Sequence, residues 1–136
     1  MKHSPRNIEQ DFVVLSPQKD ASIESCDAGL YQRLAENYGT FKGHELISCH
    51  HFDAAWDTWE IHPAGDEIVV LISGSITFVL KIGDEEQQTD LNAVGSFVIV
   101  PKNTWHTARN ANKAKVLFIT PGEGTQNKLF DSSIKD

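Results

Sequence analysis

Glu60, His62, Glu67 and His106 are the residues of this 136-residue chain whose types and spacing can do metal chemistry. Two carboxylates and two imidazoles form a mixed oxygen and nitrogen donor set without sulfur, which suits Fe(II), Mn(II), Zn(II), Ni(II) or Co(II). In a strand, side chains two apart share a face, so Glu60 and His62 project together. A buried carboxylate needs a metal, a cation or hydrogen bonds, and two inward carboxylates repel unless a cation stands between them. A divalent ion removes both costs and leaves open positions for a substrate or water. The plainer reading of His62, Glu67 and His106 is a buried hydrogen-bonded cluster. Glu60 has three readings: a fourth ligand, an acceptor that orients a histidine, or a general base beside bound substrate.

These four residues need strands that turn back on one another. From about residue 41 the chain breaks into short strands with turn punctuation: His44–Phe52, Ala55–His62, Glu67–Ile72, Ser75–Ile82, Gln87–Leu91, Ser96–Val100, Thr104–Asn110 and Lys115–Thr120. Many short strands at even spacing predict a sandwich or barrel. Gly74 reads as a hairpin glycine, and Gly83-Asp84-Glu85-Glu86 as an acidic turn. Both faces of Glu67–Ile72 are apolar, which predicts a strand buried on both sides. Phe97 and Ile99 share one face and Val98 and Val100 the other, and all four read as core. Val69 and Phe97 are expected to line the pocket. Upstream, residues 11–16 predict a strand. Residues 28–38 have apolar groups at helical spacing, with Asp27 as N-cap and Gly39 beyond the C-terminus. Residues 1–10 read as a loosely docked arm. The division expected is an N-terminal arm, strand and helix over 1–40, a barrel over 41–120 and a packing tail over 121–136, in one domain.

Other candidates carry less. Trp56, Trp59 and Trp105 read as packing residues, Arg109 and Lys81 as surface charges, and Asp66 as a turn cap. His50 and His51 face opposite ways and both read as surface or packing residues, although a histidine at the pocket mouth could contact a substrate. Cys49 reads as a small buried hydrophobe.

The chain carries 12 basic and 19 acidic side chains, a formal charge of −7. That lacks the basic footprint of a nucleic-acid or membrane-surface protein. The run Phe12-Val13-Val14-Leu15 is too short for a signal peptide core or a spanning helix. With two cysteines and no CxxC, the expectation is a cytoplasmic protein with reduced thiols.

The spacing also resembles the cupin superfamily. Glu60, His62, Glu67 and Gly74 fall on its first motif, G-x5-H-x-H-x3-4-E-x6-G. Gly95, Pro101, His106 and Asn110 fall on its second, G-x5-P-x-G-x2-H-x3-N. Three positions depart: Ala54 and Asn103 stand where the motifs have glycine, and Glu60 stands where the first has a ligand histidine. The resemblance implies an all-β fold, a double-stranded β-helix (jelly-roll) barrel with a short N-terminal helix. It implies a divalent metal on His62, Glu67, His106 and the substituted Glu60, and a homodimer, with Trp59 and Ile61 on an exposed apolar face. The functions implied are a metal-dependent isomerase or dioxygenase acting on a small polar metabolite (sugar-, oxo-acid- or hydroxy-acid-like), with Glu60 moving the proton. A non-catalytic small-molecule sensor is the alternative.

Overall fold

A computed structural model describes residues 3–130. The chain opens with a hairpin, β1 (Asp11–Leu15) and β2 (Ala21–Ser25), followed by one helix, α1 (Leu30–Asn37). Seven further strands follow: β3 (Glu45–Phe52), β4 (Thr58–Ile61), β5 (Glu67–Ile82), β6 (Glu85–Leu91), β7 (Phe97–Val100), β8 (His106–Thr120) and β9 (Gln126–Leu129).

The long strands β5 and β8 organise the molecule. Their first and second halves pair with different neighbours, so each belongs to two layers. One layer runs β2-β1-β3-β8-β5-β7, built on the second half of β8 and the first half of β5. The other runs β9-β4-β8-β5-β6, built on the opposite halves. All pairings are antiparallel, and the layers fold over one another as a jelly roll. The hydrogen-bonded sheet is not closed into a ring: among the described residues, the edge strands β2, β6, β7 and β9 do not pair with one another.

Gly74 makes the bend, and here the structure corrects the sequence reading. Glu67–Ile72 and Ser75–Ile82 are one strand, and Gly74 is a kink inside it with φ of +77°. Register shifts on both sides of Ser73 show the bulge. The inward positions change parity across it: Glu67, Val69 and Leu71 before, and Ile76, Phe78 and Leu80 after. Thr104–Asn110 and Lys115–Thr120 likewise fall largely within the single strand β8. Its own bend lies at Lys113, with φ of +48° and its amide held by Asp53 Oδ1 at 2.8 Å. The two bends touch, since a Cβ on Gly74 would lie 2.1 Å from the Lys113 carbonyl oxygen.

The core between the layers includes Val69, Leu71, Ile76, Phe78, Leu80, Leu91, Val100, Ala108, Val116 and Phe118. Val69 sits in this core and does not line the cavity. Phe97 is also misplaced by the sequence reading: it pairs with Val70 on the outer face and is 60% exposed, with Ile99 at 49%. On the outer face of the first half of β5, Ile68 and Val70 are only partly buried and Ile72 is 39% exposed, so that strand is fully buried on one side only. A second small core joins Phe12 and Val14 of β1 to Leu30 and Leu34 of α1.

The N-cap of α1 is Gly29, not Asp27. Asp27 Oδ1 instead accepts from the Gly29 amide at 3.0 Å and from Arg33 Nη1 at 2.8 Å. Gly39 does stand just past the helix with positive φ, as read. The expected arm is tied down at Glu9, which pairs with His51 and Lys115. Trp59 is buried against Phe130, their rings 5.4 Å apart, with Lys81 Nζ over it. The exposed face expected for a dimer contact therefore does not exist at Trp59. Cys49 is buried, Cys26 is exposed, and both are free thiols. Among the described residues, no helix is long and apolar enough to cross a membrane.

The two glycines with room and without it separate strain from collision. Gly83 has φ of +63° and nothing within 4 Å of an added Cβ. Gly83→Ala should cost roughly 1–2 kcal/mol for the left-handed backbone alone. Gly74→Ala should cost clearly more, because the β5–β8 contact must open. Chemical denaturation of both variants checks this, and equal losses would contradict it.

Candidate metal centre

Each of the four polar residues reaches the interior from a different structural position. Glu60 lies on β4, His62 follows it, Glu67 starts β5, and His106 starts β8. Glu60 and His106 are direct partners in the β4–β8 pairing. The turn between His62 and Glu67 is locked to the β7–β8 loop: the Asn103 amide donates to the His62 carbonyl at 3.0 Å, and the Lys102 amide to Asp66 Oδ1 at 2.7 Å. Asp66 is thus a clasp between loops. Asn103 has φ of +65°, a conformation that asparagine tolerates better than most side chains, so it can stand where a glycine is expected.

The four residues converge. One ligand atom from each lies within 4.8 Å of all the others. His62 Nε2 is 3.0 Å from Glu60 Oε1 and 3.4 Å from Glu67 Oε2. His106 Nε2 is 3.1 Å from Glu67 Oε1 and 3.8 Å from Glu60 Oε1. Donor atoms bound at about 2.0–2.2 Å to a common ion stand roughly 3–4 Å apart, so these separations fit one. His62, Glu67 and His106 are buried, while the Glu60 side chain is 28% exposed and faces the cavity.

The outer hydrogen bonds fix which ring nitrogen faces the centre. His106 Nδ1 donates to the Thr104 carbonyl at 3.1 Å, since a carbonyl can only accept. Thr125 Oγ1 spends its proton on the Gly122 carbonyl, so it accepts from His62 Nδ1 at 2.8 Å. Both rings therefore carry a proton on Nδ1 and turn Nε2 inward, the arrangement that outer partners impose on metal-binding histidines. Thr120 Oγ1 donates to Glu67 Oε2. Two buried atoms are left over: Glu67 Oε1 and His106 Nε2 approach to 3.1 Å without hydrogen-bond alignment, and neither has another partner. An orphaned buried carboxylate oxygen and an orphaned imidazole nitrogen facing one point are what a cation would satisfy.

The electrostatics agree. Burial alone would push the His62 pKa down, but the adjoining Glu60 and Glu67 carboxylates outweigh it and raise it to about 9. Burial would raise Glu67, but His106 and His62 beside it hold it at about 2. Without metal, the Glu60–Glu67 pair thus holds a proton on His62 in the cation's place.

The centre opens into a cavity of about 910 Å³ between α1 and the strands. Tyr31, Leu34 and Phe41 line one side, and His50, Phe52, Trp56 and Phe118 the other. His50 is the inward member of the His50–His51 pair, and its pKa is lowered, chiefly by burial. Trp56 was read from sequence as packing, yet it borders the cavity, 6.1 Å ring to ring from His106. Its only sequence signal was its position on the approach to Glu60. Arg109 pairs with Glu86 and, like Lys81, sits over Trp59, away from the centre.

The Cupin domain family matches residues 53–120, half of the chain. The chain belongs to the cupin family. Three solved structures similar to this cupin illustrate its likeness. A cupin-2 domain containing protein from Shewanella frigidimarina is 19% identical over 57% of this chain and 70% of its own, with a TM-score of 0.46. The TDP-quinovose 3,4-ketoisomerase of Campylobacter jejuni is 18% identical over 64% of this chain and 65% of its own, at 0.48. A variant oxalate decarboxylase of Bacillus subtilis is 17% identical over 64% of this chain, at 0.48, and this cupin spans 23% of it. No curated protein sequence matches this cupin.

A pH prediction follows from the two shifted groups. His62, raised from 6.5, adds stability that is full below pH 6.5 and is lost as pH rises through about 9. Glu67, lowered from 4.5, adds stability that is full above pH 4.5 and is lost as pH falls toward 2. Chelator-treated protein should therefore lose urea resistance between pH 6.5 and 9, and His62→Gln should flatten that limb. Equal slopes for the two proteins would contradict the assignment.

Proposed function

We propose that Glu60, His62, Glu67 and His106 hold a divalent metal, and that this cupin uses it on a small oxygen-bearing metabolite. The observation that carries the reading is the orphaned pair, Glu67 Oε1 and His106 Nε2, buried and facing the same point as the other two donors. When bound, the metal would supply Lewis acidity toward substrate oxygens.

The chain's own groups divide the remaining work. His62 and His106 present Nε2, and Thr125 and Thr104 keep their rings from turning. Glu67, buried and held ionised, is the fixed negative charge. Of the two carboxylates at the centre, Glu60 is the one partly exposed, at 28% against 2% for Glu67, so it is the group able to take a proton from bound substrate and return it at another atom. That capacity suits an isomerisation next to a carbonyl, with the other Glu60 oxygen, Oε2, as the proton carrier while Oε1 faces the centre. Oxygen chemistry would require iron or another redox metal in the same donor set.

Equilibrium dialysis against Fe(II), Mn(II), Ni(II), Co(II) and Zn(II) tests the reading. One ion per chain should bind tightly, and His62→Ala with His106→Ala should abolish uptake. Thr125→Val, which removes only the partner of His62 Nδ1, should weaken affinity roughly 10–100-fold. No uptake of any ion by the folded protein would overturn the proposal.

A further inference from the structure

The cavity beside the metal centre has two chemically different ends. At one end stand the four polar groups. The other is aromatic: Phe52 and Trp56 are 5.5 Å apart, Trp56 and Phe118 6.2 Å, and His50 stands 5.7 Å from Phe118. The aromatic wall begins one ring away from His106. Among the described residues, no lysine or arginine lines the cavity, while Asp57, Glu60 and Glu67 all do. His50 supplies no positive charge at neutral pH either, being held below its usual pKa by burial. Trp56 Nε1 is a buried donor with no partner.

We propose that the ligand of this cavity carries chelating oxygens on a flat apolar body, aromatic or nearly so, and bears no phosphate. The inference rests on the metal reading above, since the chelating end must sit on the ion. A phosphate carried on the body, away from the ion, would enter a part of the cavity lined by no lysine or arginine, where nothing repays its desolvation. A flat ring instead gains contact with Trp56, Phe52 and Phe118. An acceptor atom on that body would satisfy Trp56 Nε1. Sugar phosphates and nucleotide-linked sugars are thereby disfavoured in comparison with unphosphorylated aryl hydroxy-acids and enediols.

Three related probes test this on the full-length Zn(II)-loaded chain by calorimetry: glycolate, mandelate and 3-phosphoglycerate. All three keep a free α-hydroxy-acid oxygen pair, and they differ by a phenyl ring or a phosphate-bearing carbon. Mandelate should bind at least about tenfold more tightly than glycolate, as burial of a ring warrants, and 3-phosphoglycerate more weakly than either. Trp56→Ala should bring the mandelate preference toward unity, while Trp56→Phe, which keeps a ring, should retain most of it. Equal binding of glycolate and mandelate, or 3-phosphoglycerate as the tightest probe, would overturn the inference and leave the metal reading standing. Failure of the chain to hold Zn(II) at all would overturn both.

Discussion

A carboxylate and two imidazoles lie in the interior of this protein, and the fold is arranged around that cost. Glu67 and His106 are as buried as the apolar core beside them. Charged or polar groups in that setting need partners, and each missing partner is a penalty of about 1–3 kcal/mol. The protein supplies some: Thr104, Thr120 and Thr125 each meet one of these residues. It leaves one oxygen and one nitrogen unmet. That unsatisfied polarity, surrounded by well-packed structure, is the observation on which the proposed metal centre rests.

The bend shared by β5 and β8 is what makes convergence possible. Glu67 sits at the start of β5 and His106 at the start of β8, yet the two strands pair along both halves only because each crosses between layers. The crossing depends on Gly74 lying against the Lys113 carbonyl. The kink lets the two halves of β5 lie in different layers, with Glu67 at the head of the first half. The loop clasp of Asp66 and Asn103 then sets the His62 end of the site. Backbone geometry positions the donors, and the threonines orient them.

Much of the centre was legible in the sequence because strand periodicity is simple. Alternation places Glu60 and His62 on one face whatever the register, and a carboxylate at Glu67, on the face shared with Val69 and Leu71, asks for a cation. Strand spacing gave a sandwich or barrel, and the resemblance to cupins narrowed it to a jelly roll. What was misread has a common cause: local sequence does not say which face of a strand will be covered. Phe97 and Ile99 are as apolar as Val98 and Val100, and only the tertiary arrangement leaves them outside. Gly74 looked like a hairpin because a glycine that bends a strand and one that reverses it carry the same signal. The strands β2 and β9 are polar, so they had no hydrophobic alternation to show. Trp56 reads as packing because a tryptophan bordering a cavity and one filling a core are the same residue in sequence.

A crystal structure of the metal-loaded protein, with diffraction collected at the absorption edge of the bound ion, tests the central claim most directly. The account predicts one strong anomalous peak within bonding distance of Nε2 of His62, Nε2 of His106 and a carboxylate oxygen of Glu67. A structure of the loaded protein with no peak there, or with its ion elsewhere, would contradict it.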